Sequence, residues 1–396
     1  MANPLEVPPY LLQSLIPSIT AGTVTCAQAF GSEIYVGCSN GELLRYALDP
    51  DPDPAKVGTS VSNALLPVQL DVHALLSQQS LPSGKQIDEL ILVPCIARAL
   101  ILCDRQVHIY TLPSLDLVPS IKPIRHVETL VVDHNHLQRP AATSLTATSS
   151  STSTNFTTER GKNDPIDLCV IKRSTIAMYS LSEDKLTYAR EISCRPGVLC
   201  ARRSGRHLCI ATSDVYSIVD LAGAQMYELL PLTQVPTEGT IKPHIVVISP
   251  SEFLILSWTG GSTLGVFITG EGDPVRGTLE WPAHPLSACL DYPFLTTLLP
   301  NGTIEVHSVE TQTIIQVIPA PDSGEEGRLG LVSCPGGYAV PSFQRVEKMK
   351  KVKVGLVRGG KAGLEVDMNE NLIRGEVEKV EEMEKEKDSD VPAVSI

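Results

Sequence analysis

Three features of the sequence predict an all-β ring of short four-stranded sheets, a seven-bladed β-propeller. Apolar runs of strand length alternate with turn residues along most of the chain, one hairpin form recurs seven times, and its later repeats are spaced at the length of a propeller blade. The densest stretch is Glu252 to Ile318, where each apolar run is closed by Gly, Pro, Asn or Asp and no room is left for a long helix.

In chain order, residues 1–16 read as a lead-in. The first hairpin, residues 33–48, turns at Asn40-Gly41, a dipeptide that supplies the positive φ angles of a two-residue turn. The form returns around Asp104, Arg173, Asp214, Gly260, Asn301 and Gly336. Subtraction gives intervals of 41, 46, 41 and 35 residues from Arg173 onward, close to the blade period of about 40 to 45. The first two intervals, 64 and 69 residues, each contain an insertion. One is the Asp/Pro stretch 48–58; the other, 141–165, is too rich in Ser and Thr to bury a core and reads as a disordered loop. The propeller is therefore placed at 17–343. Beyond it, residues 344–396 hold 23 charged residues in 53, against 54 in the preceding 343. This tail reads as partly helical or disordered, with residues 371–388 forming a solvated helix of Glu and Lys at i, i+3 and i+4.

Composition excludes several classes of function. A formal charge of −13 gives nucleic acid no clustered cations to bind. The N-terminus has no basic region before its apolar run, and nowhere are about 18 apolar residues consecutive, so neither a secretory signal nor a membrane span is expected. These features predict a cytoplasmic protein, in which the sequons at Asn155 and Asn301 stay unused. The ten cysteines include no CxxC pair; Cys38, Cys103, Cys169 and Cys209 sit in apolar runs and read as small core residues.

Sites of chemistry are equally sparse. Residues 355–361 imitate a phosphate-binding loop, but Ala362 stands where a Ser or Thr must hold magnesium. His134 and His136 are spaced to face one side of a strand and to hold a metal, yet no third ligand completes them, and a surface loop is the simpler reading. His108 and His307 occupy equivalent places in two hairpins. Trp258 and Trp281 read as blade packing, and Gly265, Gly270, Gly272 and Gly277 as turn and bulge residues. No nucleophile elbow, HExxH helix or dinucleotide turn occurs. No catalytic, cofactor-binding or metal residue is therefore nominated, and no cofactor is expected.

The order of residues from Leu256 to Ile318 resembles the citron-homology (CNH) domain. The resemblance is carried by Gly265-Val266-Phe267, Gly270 to Gly272, Arg276, Trp281-Pro282, Pro285, Tyr292-Pro293, Ile304 to His307 and Gln316. Residues 30–48 and 195–214 are similar to the same domain's first half, so the likeness spans 17–343. With only a short segment ahead of the first blade, the chain is similar to the branch that begins with this domain: the TGF-beta-receptor-associated protein and the vacuolar-sorting subunits of the CORVET and HOPS tethering complexes. In that branch an α-helical solenoid follows the domain, and the sequence as given departs from the pattern by stopping at Ile396. The resemblance implies a non-enzymatic interaction module, peripheral to endosomal or vacuolar membranes, whose partners are a Rab-type small GTPase and tether subunits. Two alternatives stand beside it: a CNH module binding Rho-type GTPases in signalling, and a propeller enzyme with acids or histidines converging on the central channel.

Overall fold

The computed structural model describes residues 8–351 apart from 17, 20–21, 48–74, 143–163, 237–238, 323–326, 335–336 and 344. The Asp/Pro insertion, most of the Ser/Thr-rich one, the phosphate-loop imitation and all but the first residues of the charged tail lie outside the described residues. Residues 11–350 form one compact unit; the other, Met1–Tyr10 with Lys351–Ile396, falls almost wholly outside them.

Seven four-stranded sheets make up the first unit. Blade I is β1's neighbour in the ring and consists of β2–β5 (Val24–Phe30, Glu33–Cys38, Glu42–Ala47, Leu75–Ser80), where β1 is Tyr10–Ile16. Blade II is β6–β9 (Ile87–Val93, Arg98–Cys103, Gln106–Thr111, Ile124–Arg125), and blade III is β10–β13 (Thr129–Val132, Ile166–Ile171, Thr175–Leu181, Leu186–Ser193). Blade IV is β14–β17 (Cys200–Ser204, His207–Ala211, Val215–Asp220, Gln225–Pro231), and blade V is β18–β21 (Ile245–Ser249, Glu252–Trp258, Thr263–Thr269, Leu279–Trp281). Blade VI is β22–β25 (Ser287–Asp291, Phe294–Leu298, Ile304–Ser308, Ile314–Ile318). Blade VII is composite: β26–β28 (Val332–Cys334, Gly337–Pro341, Val346–Lys351) are completed by β1 as fourth strand. The seven-bladed propeller predicted from hairpin spacing is thus the observed fold.

Alternation within the second strands shows why the ring forms. In β7, Ala99, Ile101 and Cys103 pack toward blade I, while Leu100 and Leu102 pack toward blade III. In β11 the same split sends Leu168 and Val170 toward blade II, and Cys169 and Ile171 toward blade IV. Both faces of each sheet are therefore buried, and the strand reads as an unbroken apolar run instead of an alternating one. Cys38 and Cys103 end β3 and β7, while Cys169 and Cys209 lie two residues before the ends of β11 and β15; all four are fully buried, as core residues.

Two differences from the sequence reading concern the seam. The hairpins around Asn40, Asp104, Arg173, Asp214, Gly260 and Asn301 join second to third strands, but the one around Gly336 joins first to second. The matching turn lies at Phe343, between β27 and β28, 42 residues after Asn301 by subtraction. The closing sheet also draws on both sides of the expected 17–343 span. Leu15 and Ile16 of β1 join a core with Ala339, Val346 and the apolar face of blade I. Prolines on either side of β1, and the charged look of Val346–Lys351, hid two strands whose buried residues are few.

The His134–His136 pair lies on no strand. It begins α1 (His134–Leu137), a single turn whose N-cap Asp133 accepts from the Asn135 amide. His136 Nδ1 accepts the Asp167 amide at 2.9 Å, and His134 Nε2 lies 2.8 Å from Gln138 Nε2. Both rings are thus engaged locally.

The blade V–VI seam is built from the residues that carried the family resemblance. Trp281, fully buried, lies over β20 where a side chain at Gly265 would bring its Cβ to 2.7 Å from the indole. Gly265 is thus a close-approach position within a strand, whereas Gly272, at φ +95°, is a turn glycine as expected. His307 stacks edge-on against Trp281, ring centroids 5.0 Å apart. Arg276 reaches Glu252 Oε2 at 2.7 Å and donates to the Val309 carbonyl at 3.4 Å, joining the two blades while lying over the Phe267 ring. Burial pushes the His307 imidazole down to about 4 and the nearby Glu305 carboxyl up. The 3.7 Å approach of their side chains is therefore not an ion pair at neutral pH.

Two outcomes follow from this seam. Gly265→Ala overpacks it and lowers the unfolding free energy by about 1–3 kcal/mol. Combined with Trp281→Phe in a double-mutant cycle of denaturant melts, the added cost shrinks, because the clash and its partner are removed together. The depressed His307 value contributes stability that is fully present above the unfolded-state value of about 6.5 and is lost as pH falls toward 4. Thermal midpoints measured from pH 7.5 to 5 should fall less steeply in His307→Phe, which keeps the ring contact and removes the titration.

Candidate interaction face and central channel

Antiparallel pairing within the blades gives the ring two unlike faces. One, the turn face, carries the tight second-to-third-strand turns and the links from each outer strand to the next inner strand. On the opposite face lie the first-to-second and third-to-fourth connections. Stretches 48–74 and 143–163 attach there, and β28 delivers the chain past Lys351 to the same side. On the turn face the second-to-third-strand turns are short, whereas the links before blades V and VII, residues 232–244 and 319–331, are longer.

Its two halves differ in chemistry. Around blades I–III it is charged: Lys85 bonds Asp104 at 2.6 Å, Arg105 pairs with Glu128, and Lys172 and Arg173 form the blade III turn. Such exposed pairs contribute little to stability individually. Around blades IV–VII it carries exposed apolar side chains. Leu199 is 57% exposed and Leu286 40%, each one residue ahead of an inner strand. Leu329, 39% exposed, stands three residues ahead of β26, and Phe343, 48% exposed, forms the blade VII turn, its carbonyl accepting the Val24 amide at the head of β2. The other large exposed apolar side chains lie on outer strands or on the opposite face.

Within the half formed by blades IV–VII, the link before blade V is clasped to the link before blade VI. His244 Nε2 lies 2.7 Å from the Pro285 carbonyl, and His284 Nε2 lies 2.8 Å from the Lys242 carbonyl, with the two rings 5.4 Å apart. Each nitrogen donates, since carbonyl oxygens only accept. Burial, reinforced by His284 and Lys242, pushes His244 down to about 3, so the clasp is neutral at physiological pH.

Two consecutive arginines of β14 have opposite fates. Arg203 is buried and saturated: it bonds the Gly205 carbonyl at 2.9 Å and Asp167 at 3.2 Å, and lies 3.6 Å from Asp133, knitting blade III to blade IV. Arg202, pointing the other way as strand alternation requires, is exposed. Its one hydrogen bond among the described residues runs from Nη1 to the Ala201 carbonyl, 2.7 Å. Arg202 is raised above the ordinary guanidinium value by Cys200 first, then by Glu89 and Cys289 against a desolvation cost. Its charge in turn opposes the upward push of burial on Glu89 and adds to the downward push on His134 and His244. Those groups belong to blades II, III, V and VI, on both sides of blade IV. Arg202 lies on the inner strand of its blade, on the side opposite the buried Arg203, and its exposed side chain is assigned to the central channel.

No residue of this channel was singled out from the sequence. The run CARRS marks neither arginine as different, and the distinction arises only from which side of an inner strand each occupies. Among the described residues no group of three or more His, Cys, Asp or Glu is placed to hold a metal, and no helix is long and apolar enough to cross a membrane.

Comparison with known proteins agrees with this architecture. A sequence model of the CNH domain matches residues 75–325. Human transforming growth factor-beta receptor-associated protein 1 is 24% identical over 323 residues, covering 80% of this chain and 33% of the relative. Vacuolar protein sorting-associated protein 3 of Saccharomyces cerevisiae is 20% identical over 326 residues, covering 80% of this chain and 28% of the relative. The chain thus spans about a third of the length of these relatives. Among solved structures, the WD40 β-propeller domain of Doa1 superposes with a TM-score of 0.55 at 12% identity, over 88% of this chain and 98% of that one, a likeness of fold alone. With the family pattern matched over more than half its length and the seven blades closed, this chain belongs to the CNH domain family.

Proposed function

We propose that the chain is a non-enzymatic interaction module acting in vesicle-mediated protein transport at endosomal or vacuolar membranes, through a Rab-type small GTPase or subunits of a tethering complex. The observation that carries this reading is family membership joined to relatives named for vacuolar protein sorting and for receptor association. Physical features support it. A propeller holds many loops on a rigid scaffold, which suits recognition of a protein surface. At a formal charge of −13 the chain as a whole gains little from anionic lipids, so in this reading the protein is cytoplasmic and reaches an organelle through partners.

The test is retention of nucleotide-locked GTPases and tether subunits on the immobilised full chain. A Rab-type GTPase held in one nucleotide state, or a tether subunit, should be retained. Retention of Rho-type GTPases alone would move the module to signalling, and no retention in any nucleotide state would contradict the proposal.

A further inference from the structure

The unpaired arginine of the channel and the apolar half of the turn face point to the kind of surface this module recognises. Arg202 presents a guanidinium to solvent near the ring axis with one bond, to its neighbour's carbonyl, among the described residues. The remaining N–H donors of this planar fork have no hydrogen-bond partner among the described residues and suit a carboxylate, which a guanidinium can bind through two parallel bonds. Leu199 heads the same inner strand, and Leu286, Leu329 and Phe343 stand at the heads of inner strands or in a turn on the same face. Exposed leucines and a phenylalanine gathered on one face, rimmed by ion pairs on its other half, match the make-up of a protein interface: apolar anchors inside a polar border.

We propose that Arg202 and the apolar crescent of Leu199, Leu286, Leu329 and Phe343 form a docking site for a partner segment that carries an Asp or Glu beside aliphatic or aromatic side chains. The proposal rests on the interaction-module reading and assigns its face and chemistry. Charge complementarity selects the occupant. Arg202, which makes no ion pair among the described residues, asks for a carboxylate, and the crescent asks for apolar neighbours. An anionic membrane is disfavoured, because one recessed guanidinium on a chain of formal charge −13 cannot replace a basic cluster. The insertions and the continuation past Lys351 join the described residues on the opposite face.

The probe is a displayed library of random 12-residue peptides selected on the immobilised full chain. The enriched peptides should carry Asp or Glu close to Leu, Ile or Phe. Affinity should fall about 10- to 100-fold when that acid is changed to its amide, and equally in Arg202→Gln, with part recovered in Arg202→Lys. Leu199→Ser with Leu286→Ser should also weaken binding, whereas Tyr227→Ser on an outer strand should not. Because these side chains are exposed, unchanged thermal midpoints verify that the variants fold. Enrichment without acidic residues, indifference to Arg202→Gln or to the double serine variant, or no enrichment would overturn the proposal. So would binding of phosphoinositide-containing vesicles, in place of peptides, that Arg202→Gln abolishes. If these variants retain a GTPase or tether subunit as the parent chain does, the module reading stands and the assigned face is wrong. If peptides bind as described and no GTPase or tether subunit is retained, the opposite holds.

Discussion

The meeting of β1 with β28 is the constraint on which the structure depends. Every blade is apolar on both faces, so no blade can stand at an end, and a row of seven is stable only as a ring. The chain closes that ring by lending its first strand to its last sheet, so that Leu15 and Ile16 share a core with Ala339, Val346 and blade I. Removing apolar contacts of this kind costs about 2–5 kcal/mol per large side chain, a substantial part of the stability of a domain. Closure also fixes which side each connection occupies, and from that follows the separation of a compact turn face from a face carrying the long insertions.

Within the ring, polar chemistry divides into what holds blades together and what is left over. Arg203, Arg276 and the His244–His284 clasp are saturated by partners on adjacent blades or links, and the cost of burying them is offset by those bonds. The residues that carried the family resemblance, Trp281, Gly265, Arg276 and His307, define a seam between blades V and VI. Arg202 stands apart, one residue from a fully bonded arginine and without an ion pair among the described residues. The contrast separates structural charge from charge free to meet a partner.

The sequence made the inner architecture legible and the periphery obscure, for physical reasons. Second and third strands are buried on both faces and joined by tight turns, so ALILCDRQVHIY declares a hairpin through composition alone. Outer strands are short, half-wet and variable: β9 has two residues and β5 reads LLSQQS. β28 escaped because VEKMKK buries only Val346 and Met349 and looks like the start of a charged tail. The Gly336 hairpin was real but one strand out of phase, since Pro-Gly-Gly advertises a turn without saying which pair of strands it joins. Arg202 could not be found at all, because its significance lies in the ring axis, which no local pattern encodes.

The proposed docking site lies on the turn face of blades IV–VII of a closed propeller. Hydrogen–deuterium exchange of the full chain, with and without a retained tether subunit or GTPase, tests it most directly. Slowed exchange is expected at residues 197–202, 284–287, 328–332 and 342–346, with the outer strands and the residues flanking both insertions unchanged. Protection confined to the outer strands, such as Ile314–Ile318, or to the opposite face around α1 and residues 112–123, would contradict it.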